Sequence, residues 1–211
     1  VLVAAPTGSG KTVVAEYAVA RALASGGKAF YTTPLKALSN QKFGDLARVY
    51  GATRVGLLTG DNSINGDAPI VVMTTEVLRN MIYAASPTLD GLQYVVLDEV
   101  HYLQNRYRGA VWEEVIIHLQ PEVRLVCLSA TVSNAEEVAD WIQTVRGETD
   151  AVIEERRPVE LVHLYLAGDR GSEQLHLLPT FVDHDGEPSP NPVANRLDQR
   201  APAARAGRRT R

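Results

Sequence analysis

The sequence predicts an α/β fold, a mostly parallel sheet with helices on both faces. Three observations predict it. Short, near-continuous apolar runs such as residues 69–73 (PIVVM) and 93–97 (QYVVL) alternate with helix-length stretches, the pattern of strands buried on both faces. Each notable polar cluster falls just after such a run, where ligands collect in parallel sheets. The opening apolar run feeds Ala5-Pro6-Thr7-Gly8-Ser9-Gly10-Lys11-Thr12, and an Ala/Val-rich helical pattern follows at once.

That opening has the strand–loop–helix layout of a phosphate-binding P-loop, with Ala5 where the motif usually has Gly. Gly8 and Gly10 lack Cβ, so the backbone can curl and aim N–H groups at phosphate oxygens. The helix that starts near Lys11 adds unpaired N–H groups and the positive end of its dipole. Lys11 would neutralise the β- and γ-phosphates, and the Thr12 hydroxyl would hold Mg²⁺. The plainer alternative is a Gly/Ser loop between a strand and a helix.

The remaining elements follow in order. Residues 12–24 read as a helix closed by Ser25-Gly26-Gly27, and residues 28–33 as a strand ended by Pro34. A second helix covers residues 35–50, and a strand covers 54–58. The polar turn 59–67 precedes strand 69–73 and helix 75–85, with Thr74 or Thr75 as cap. Strand 93–97 runs into Asp98-Glu99-Val100-His101. Helix 109–119 leads to strand 124–128 and Ser129-Ala130-Thr131. Ser133-Asn134-Ala135-Glu136 resembles a capping box for a helix to about residue 145. Residues 152–153 and 159–166 could be strands. From about Gly168 the sequence is Pro-rich and then Ala/Arg-rich without apolar periodicity, which reads as disordered.

Asp98-Glu99 is the second chemical signal. A P-loop ATPase needs an acid at a strand end to hold Mg²⁺ through its water shell. A neighbouring Glu can orient and deprotonate the attacking water. Alone, the pair also fits a solvated acidic turn; joined to the P-loop it fits a nucleotide site.

At 211 residues, 45% apolar and 22% charged, the chain has the composition of a globular domain. A net charge of −4 gives no global nucleic-acid signature, so any such surface is local. The single cysteine, Cys127, rules out an internal disulfide, fits a reducing compartment and reads as a buried core thiol. No apolar run reaches membrane-spanning length. His118, His163, His176 and His184 show no metal-ligand spacing, and Trp112 and Trp141 read as helix-to-sheet packing. The chain opens on a core-type strand without Met, so sequence is expected upstream.

Ala5–Thr12, Asp98-Glu99-Val100-His101 and Ser129-Ala130-Thr131 resemble motifs I, II and III of superfamily-two DExH-box helicases. Between them, Thr33-Pro34-Leu35-Lys36-Ala37-Leu38-Ser39-Asn40-Gln41 resembles motif Ia, and Thr59-Gly60-Asp61 resembles the family's TGD turn. Thr74-Thr75-Glu76-Val77-Leu78-Arg79-Asn80 resembles motif Ib. With Tyr102-Leu103 and Arg106-Tyr107-Arg108-Gly109, the wording is similar to superkiller-type RNA helicases, most of all their actinobacterial HelY branch.

The resemblance implies a RecA-like P-loop domain that uses ATP and Mg²⁺ and translocates on single-stranded RNA or DNA in the cytoplasm. It implies that residues 5–12 bind nucleotide, that Thr12 and Asp98 serve the metal, and that Lys11, Asp98 and Glu99 are catalytic. His101, Ser129 and Thr131 would couple nucleotide state to strand binding. Pro34, Lys36, Thr59, Gly60, Thr75 and Arg79 would line the track for one strand's phosphates. Residues 1–155 would form the first RecA-like domain, residues 156–167 a linker toward a second, and 168–211 an irregular tail. Motifs IV and V are not seen, and Arg205-Ala206-Gly207-Arg208-Arg209 reads as basic composition rather than motif VI. Full activity is therefore expected to need a second RecA-like domain. Two further readings stay open: a DNA-repair helicase of the same superfamily, and a truncated, non-catalytic nucleotide- or nucleic-acid-binding module. Ser129-Ala130-Thr131 and Asp-Glu-Val-His argue against a P-loop kinase or transporter ATPase.

Overall fold

The computed structural model describes residues 1–130, 134–168, 175–184 and 186–193. Its first unit runs from Val1 to Pro158. The apolar runs become β1 (Leu2–Ala4), β2 (Lys28–Thr33), β3 (Val55–Thr59), β5 (Ile70–Thr74), β6 (Leu92–Leu97) and β7 (Arg124–Ser129). Short edge strands β4 (Asn62–Ile64) and β8 (Ala151–Ile153) complete an eight-stranded sheet of order β4-β3-β5-β2-β6-β7-β1-β8. Every pairing is parallel except β3 with β4. β4 lies inside the stretch read as a polar turn. Its three residues are exposed, so no apolar pattern announced it.

Alternation along the central strands divides the core in two. Phe30, Val95, Leu97, Leu125 and Cys127 face one side; Ala29, Tyr31, Val96, Val126 and Leu128 face the other. Successive strand residues point to opposite faces, so a strand apolar throughout is covered on both. Helices α1 (Thr12–Ala24) and α2 (Lys36–Tyr50) cover the second side, through Ala15, Ala18, Val19, Ala22 and Leu46. Helices α3 (Thr75–Tyr83), α4 (Gly109–His118) and α5 (Ala135–Arg146) cover the first. Trp112 is fully buried and Trp141 packs against the same cluster, as the packing reading expects. Burying each large apolar side chain stabilises by about 1.5–3 kcal/mol.

Helix ends depart from the sequence reading. Thr74 and Asn134 occupy the N-cap positions of α3 and α5, but neither side chain caps. The Asn134 amide oxygen accepts from Gln104 Nε2 instead, and Ser133 lies outside the described residues.

The second unit begins at Val159. It contains two antiparallel pairs, β9 (Leu164–Gly168) with β10 (Leu175–Pro179) and β11 (Phe181–His184) with β12 (Glu187–Pro190). Strand pairing thus extends past Gly168, into the stretch read as irregular. Asn191 pins the end of β10, donating to the Pro179 carbonyl at 2.7 Å.

Candidate nucleotide and nucleic-acid site

Sheet order sorts what sequence order mixes. The motifs that resemble nucleotide-binding ones end β6, β7 and β1, which are neighbours. The candidate strand-binding residues follow β3, β5 and β2, also neighbours. The carboxyl edge of the sheet therefore has two halves, meeting between β2 and β6.

In the first half, the loop after β1 turns twice through glycine. Gly8 and Gly10 both have φ of 86°. A Cβ at either would meet open space, so the backbone conformation, not crowding, calls for glycine. Ser9 N–H donates to the Pro6 carbonyl at 3.2 Å. The amides of Gly8, Gly10 and Lys11 have no backbone acceptor among the described residues, and Ser9 Oγ is buried without a partner. Lys11 Nζ folds back to the carbonyls of Ala5 at 2.5 Å and Pro6 at 3.0 Å. A cavity of about 300 Å³ beside the loop is lined by Ser9, Glu154, Arg156, Arg157 and Pro158. Such a concentration of donors and cations suits a polyphosphate.

Asp98 and Glu99 leave the end of β6, which β7 separates from β1. Asp98 N–H continues the sheet by donating to the Thr32 carbonyl at 3.0 Å. Its carboxylate accepts from Tyr31 Oη at 2.9 Å and from Glu99 N–H at 2.9 Å. Glu99 is left-handed, with φ of 55° and ψ of 44°, a costly conformation for a residue with a Cβ. It swings the chain so that Glu99 Oε2 lies 3.2 Å from His101 Nδ1. The same nitrogen is 3.5 Å from the Ala130 amide, and Ser129 Oγ donates to the Ala130 carbonyl at 2.8 Å. His101 and Ser129 thus both bond the backbone of Ala130; Thr131 lies outside the described residues.

In the second half, Lys36 and Gly60 are exposed, and Thr59 and Arg79 are half-buried. Lys36 Nζ bonds Asp61, which also accepts from Thr59 Oγ1 at 3.1 Å. The Lys36 ammonium holds the Asp61 carboxyl below the usual carboxylate range, with help from Thr59. Arg79 lies 3.7 Å from Glu114 of α4. Two residues of the expected track are buried. Thr75 is 0% exposed and its hydroxyl donates inward to the Thr33 carbonyl at 3.4 Å, so its side chain braces the edge instead of lining it. Pro34 is also buried, and its carbonyl accepts from Arg108 Nη2 at 2.6 Å. Thr74, the residue before Thr75, is half-buried and makes no cap bond.

The sequence reading gives three residues of this edge no site role of their own. Thr74 stands there as a possible cap and within the stretch that resembles motif Ib. Tyr31 was counted as strand; a buried tyrosine hydroxyl that needs a partner was the available signal. Arg108 bonds Glu76 as well as Pro34. Its guanidinium carbon sits 5.9 Å from the rings of both Tyr102 and Trp112, which stack on each other at 5.5 Å. Tyr107, by contrast, is 89% exposed.

The residues present fit ATP with Mg²⁺ by donor chemistry. Glycine-shaped amides and Lys11 suit phosphates, and the Thr12 hydroxyl with the Asp98 carboxylate are hard oxygen ligands. This is a mostly parallel α/β domain of the P-loop class, with a carboxylate pair and a histidine following β6, two strands from β1. The chain belongs to the DEAD/DEAH box helicase family, whose sequence model matches residues 1–138. It is 57% identical to the probable helicase HelY of Mycobacterium leprae, over 99% of this chain and 23% of that protein. It is 48% identical to the human superkiller complex protein 2, over 82% of this chain and 14% of that one. The chain therefore spans less than a quarter of these relatives. Among solved structures it resembles Mycobacterium smegmatis helicase Lhr bound to ssDNA and AMP-PNP. That match has a TM-score of 0.58 and 30% identity, covering 74% of this chain and 23% of that one. The helicase MrfA bound to DNA and AMPPNP shares the fold, with a TM-score of 0.61 at 22% identity. The RecA-like helicase architecture is thus shared in sequence and in structure.

Proposed function

We propose that this chain is the first RecA-like motor domain of an ATP-dependent RNA helicase of the superkiller type, working in the cytoplasm. The observation that carries the reading is the sorting of the sheet edge into a polyphosphate half and a strand-binding half, sharing the β2–β6 seam. In the first half, residues 5–12 bind the triphosphate and Lys11 neutralises its charge. When bound, Mg²⁺ supplies further charge neutralisation, held by Thr12 and, through water, by Asp98. Glu99 orients the attacking water and takes its proton. His101 and Ser129 carry a change at Glu99 into the backbone at Ala130, and Thr131 is proposed to join them. In the second half, Lys36, Thr59, Gly60, Thr74 and Arg79 grip phosphates without reading bases. Pro34 and Thr75 hold that surface in shape. A second RecA-like domain is expected to close on the nucleotide from the far side.

A DNA helicase of the same superfamily is the competing reading, and the single-stranded DNA named in the Lhr structure supports it. Phosphate contacts do not sense the 2′-hydroxyl. The test is ATP hydrolysis by the protein that carries this domain, with single-stranded RNA or DNA of one sequence. Stronger stimulation by RNA supports the RNA reading and stronger stimulation by DNA overturns it. Absence of hydrolysis with both favours a non-catalytic module.

A further inference from the structure

Tyr31 stands at the seam between the two halves of the sheet edge. It belongs to β2, and its ring lies in the core between the sheet, α1 and α2, only 1% exposed. Its hydroxyl reaches across to the end of β6 and bonds Asp98 Oδ2 at 2.9 Å. The other oxygen of that carboxylate accepts the Glu99 amide at 2.9 Å. Asp98 is therefore held at both oxygens, once by its own turn and once by a side chain 67 positions away. The backbone adds a third tie, Asp98 N–H to the carbonyl of Thr32, the next residue of β2. A carboxylate oxygen only accepts, so the phenol hydroxyl is the donor of this bond.

A phenylalanine would fill this space equally well. A buried hydroxyl without a partner is costly, so the oxygen here serves a specific acceptor. A carboxylate that holds a metal through water must present a fixed lone pair, and the group bonded to its other lone pairs sets that direction.

We infer that Tyr31 is a positioning residue for Asp98: its hydroxyl fixes the carboxylate orientation that Mg²⁺–nucleotide binding requires. The inference rests on the reading of Asp98 as the carboxylate that serves Mg²⁺. Because Tyr31 sits on the strand whose end carries Pro34 and Lys36, it also ties the metal-holding carboxylate to the strand-binding half.

The experiment is a Mg²⁺ titration of fluorescent ATP-analogue binding to the full chain, wild type against Tyr31→Phe, with parallel measurements in EDTA and a thermal melt. The expected result is a rise of about tenfold in the Mg²⁺ concentration that half-saturates binding, with EDTA-condition binding unchanged. An unchanged Mg²⁺ midpoint overturns the inference, whatever the melt shows. So does a loss of binding that is equal with and without Mg²⁺, which marks a purely structural role. A wild-type chain whose nucleotide binding ignores Mg²⁺ overturns the underlying reading of Asp98 and the inference with it. If Tyr31→Phe does not fold, a fluorinated tyrosine in place of Tyr31 keeps the ring and alters only hydroxyl acidity. A displaced Mg²⁺ midpoint then supports the inference and an unmoved one overturns it.

Discussion

Glu99 and His101 face each other across a single turn, with Oε2 and Nδ1 3.2 Å apart. The contact exists because Glu99 takes a left-handed backbone, which folds the chain back after β6. The same imidazole nitrogen lies within 3.5 Å of the Ala130 amide. One histidine therefore touches both the proposed base and the segment after β7.

Replacing that base separates chemistry from binding. Glu99→Gln keeps the size of the side chain and removes its basicity. In the protein that carries this domain, ATP hydrolysis is expected to fall by about 10²–10⁴-fold, the usual contribution of a general base. Nucleotide affinity is expected to stay within about threefold of wild type, measured by equilibrium binding, because the P-loop does not depend on Glu99. A parallel loss of affinity would place Glu99 in binding instead.

Arg108 is a strut under the proposed strand-binding half. It bonds the Pro34 carbonyl and Glu76 while lying against Tyr102 and Trp112. Arg108→Ala leaves a partly buried carbonyl and a carboxylate without their donor. Thermal or urea denaturation is expected to show a loss of about 1–3 kcal/mol, discounted toward the low end because the guanidinium is about a third exposed. Single-strand affinity is expected to drop more than ATP-analogue affinity, since Pro34 and α3 lie on that half. Equal losses for both ligands would contradict the division of the edge.

Cys127 gives a pH prediction. Burial pushes its thiol up to about 12 from an ordinary value near 9.0. Between those values the unfolded chain loses the proton and the folded chain keeps it. The folded state is therefore progressively disfavoured as pH rises from about 9 to 12, by up to about 1.4 kcal/mol per pH unit. Cys127→Ala removes this dependence at the cost of some packing. Denaturation midpoints across that pH range should decline more shallowly for the variant; identical slopes would contradict the assignment. Below pH 9 the native thiol is expected to resist alkylation.

Some of this was legible in the sequence and some was not, for physical reasons. The P-loop, the carboxylate pair and the parallel sheet are local patterns: glycines before Lys-Thr, acids after an apolar run, apolar runs between helices. β4 was not legible because its exposed residues pair by backbone alone. Thr74 and Thr75 are adjacent and chemically identical, so only the structure shows which one faces inward. Tyr31 and Arg108 act on partners 67 and 74 positions away, a distance at which no periodicity survives. The left-handed Glu99 is set by its surroundings, against its own preference.

The strand that supports the P-loop has no neighbour close to it in sequence. β1 lies between β7 and β8, with Leu2 paired to Cys127 on one side and Ala151 on the other. Closing such long loops is slow compared with forming local contacts. During synthesis the P-loop leaves the ribosome long before the segments that can anchor it. Lys11 and its glycines must wait, unsupported, until more than a hundred further residues have emerged. A pause or break before β7 would leave an apolar strand exposed and the polyphosphate site unmade. β1 is thus translated before both strands that flank it and is held in place only after them.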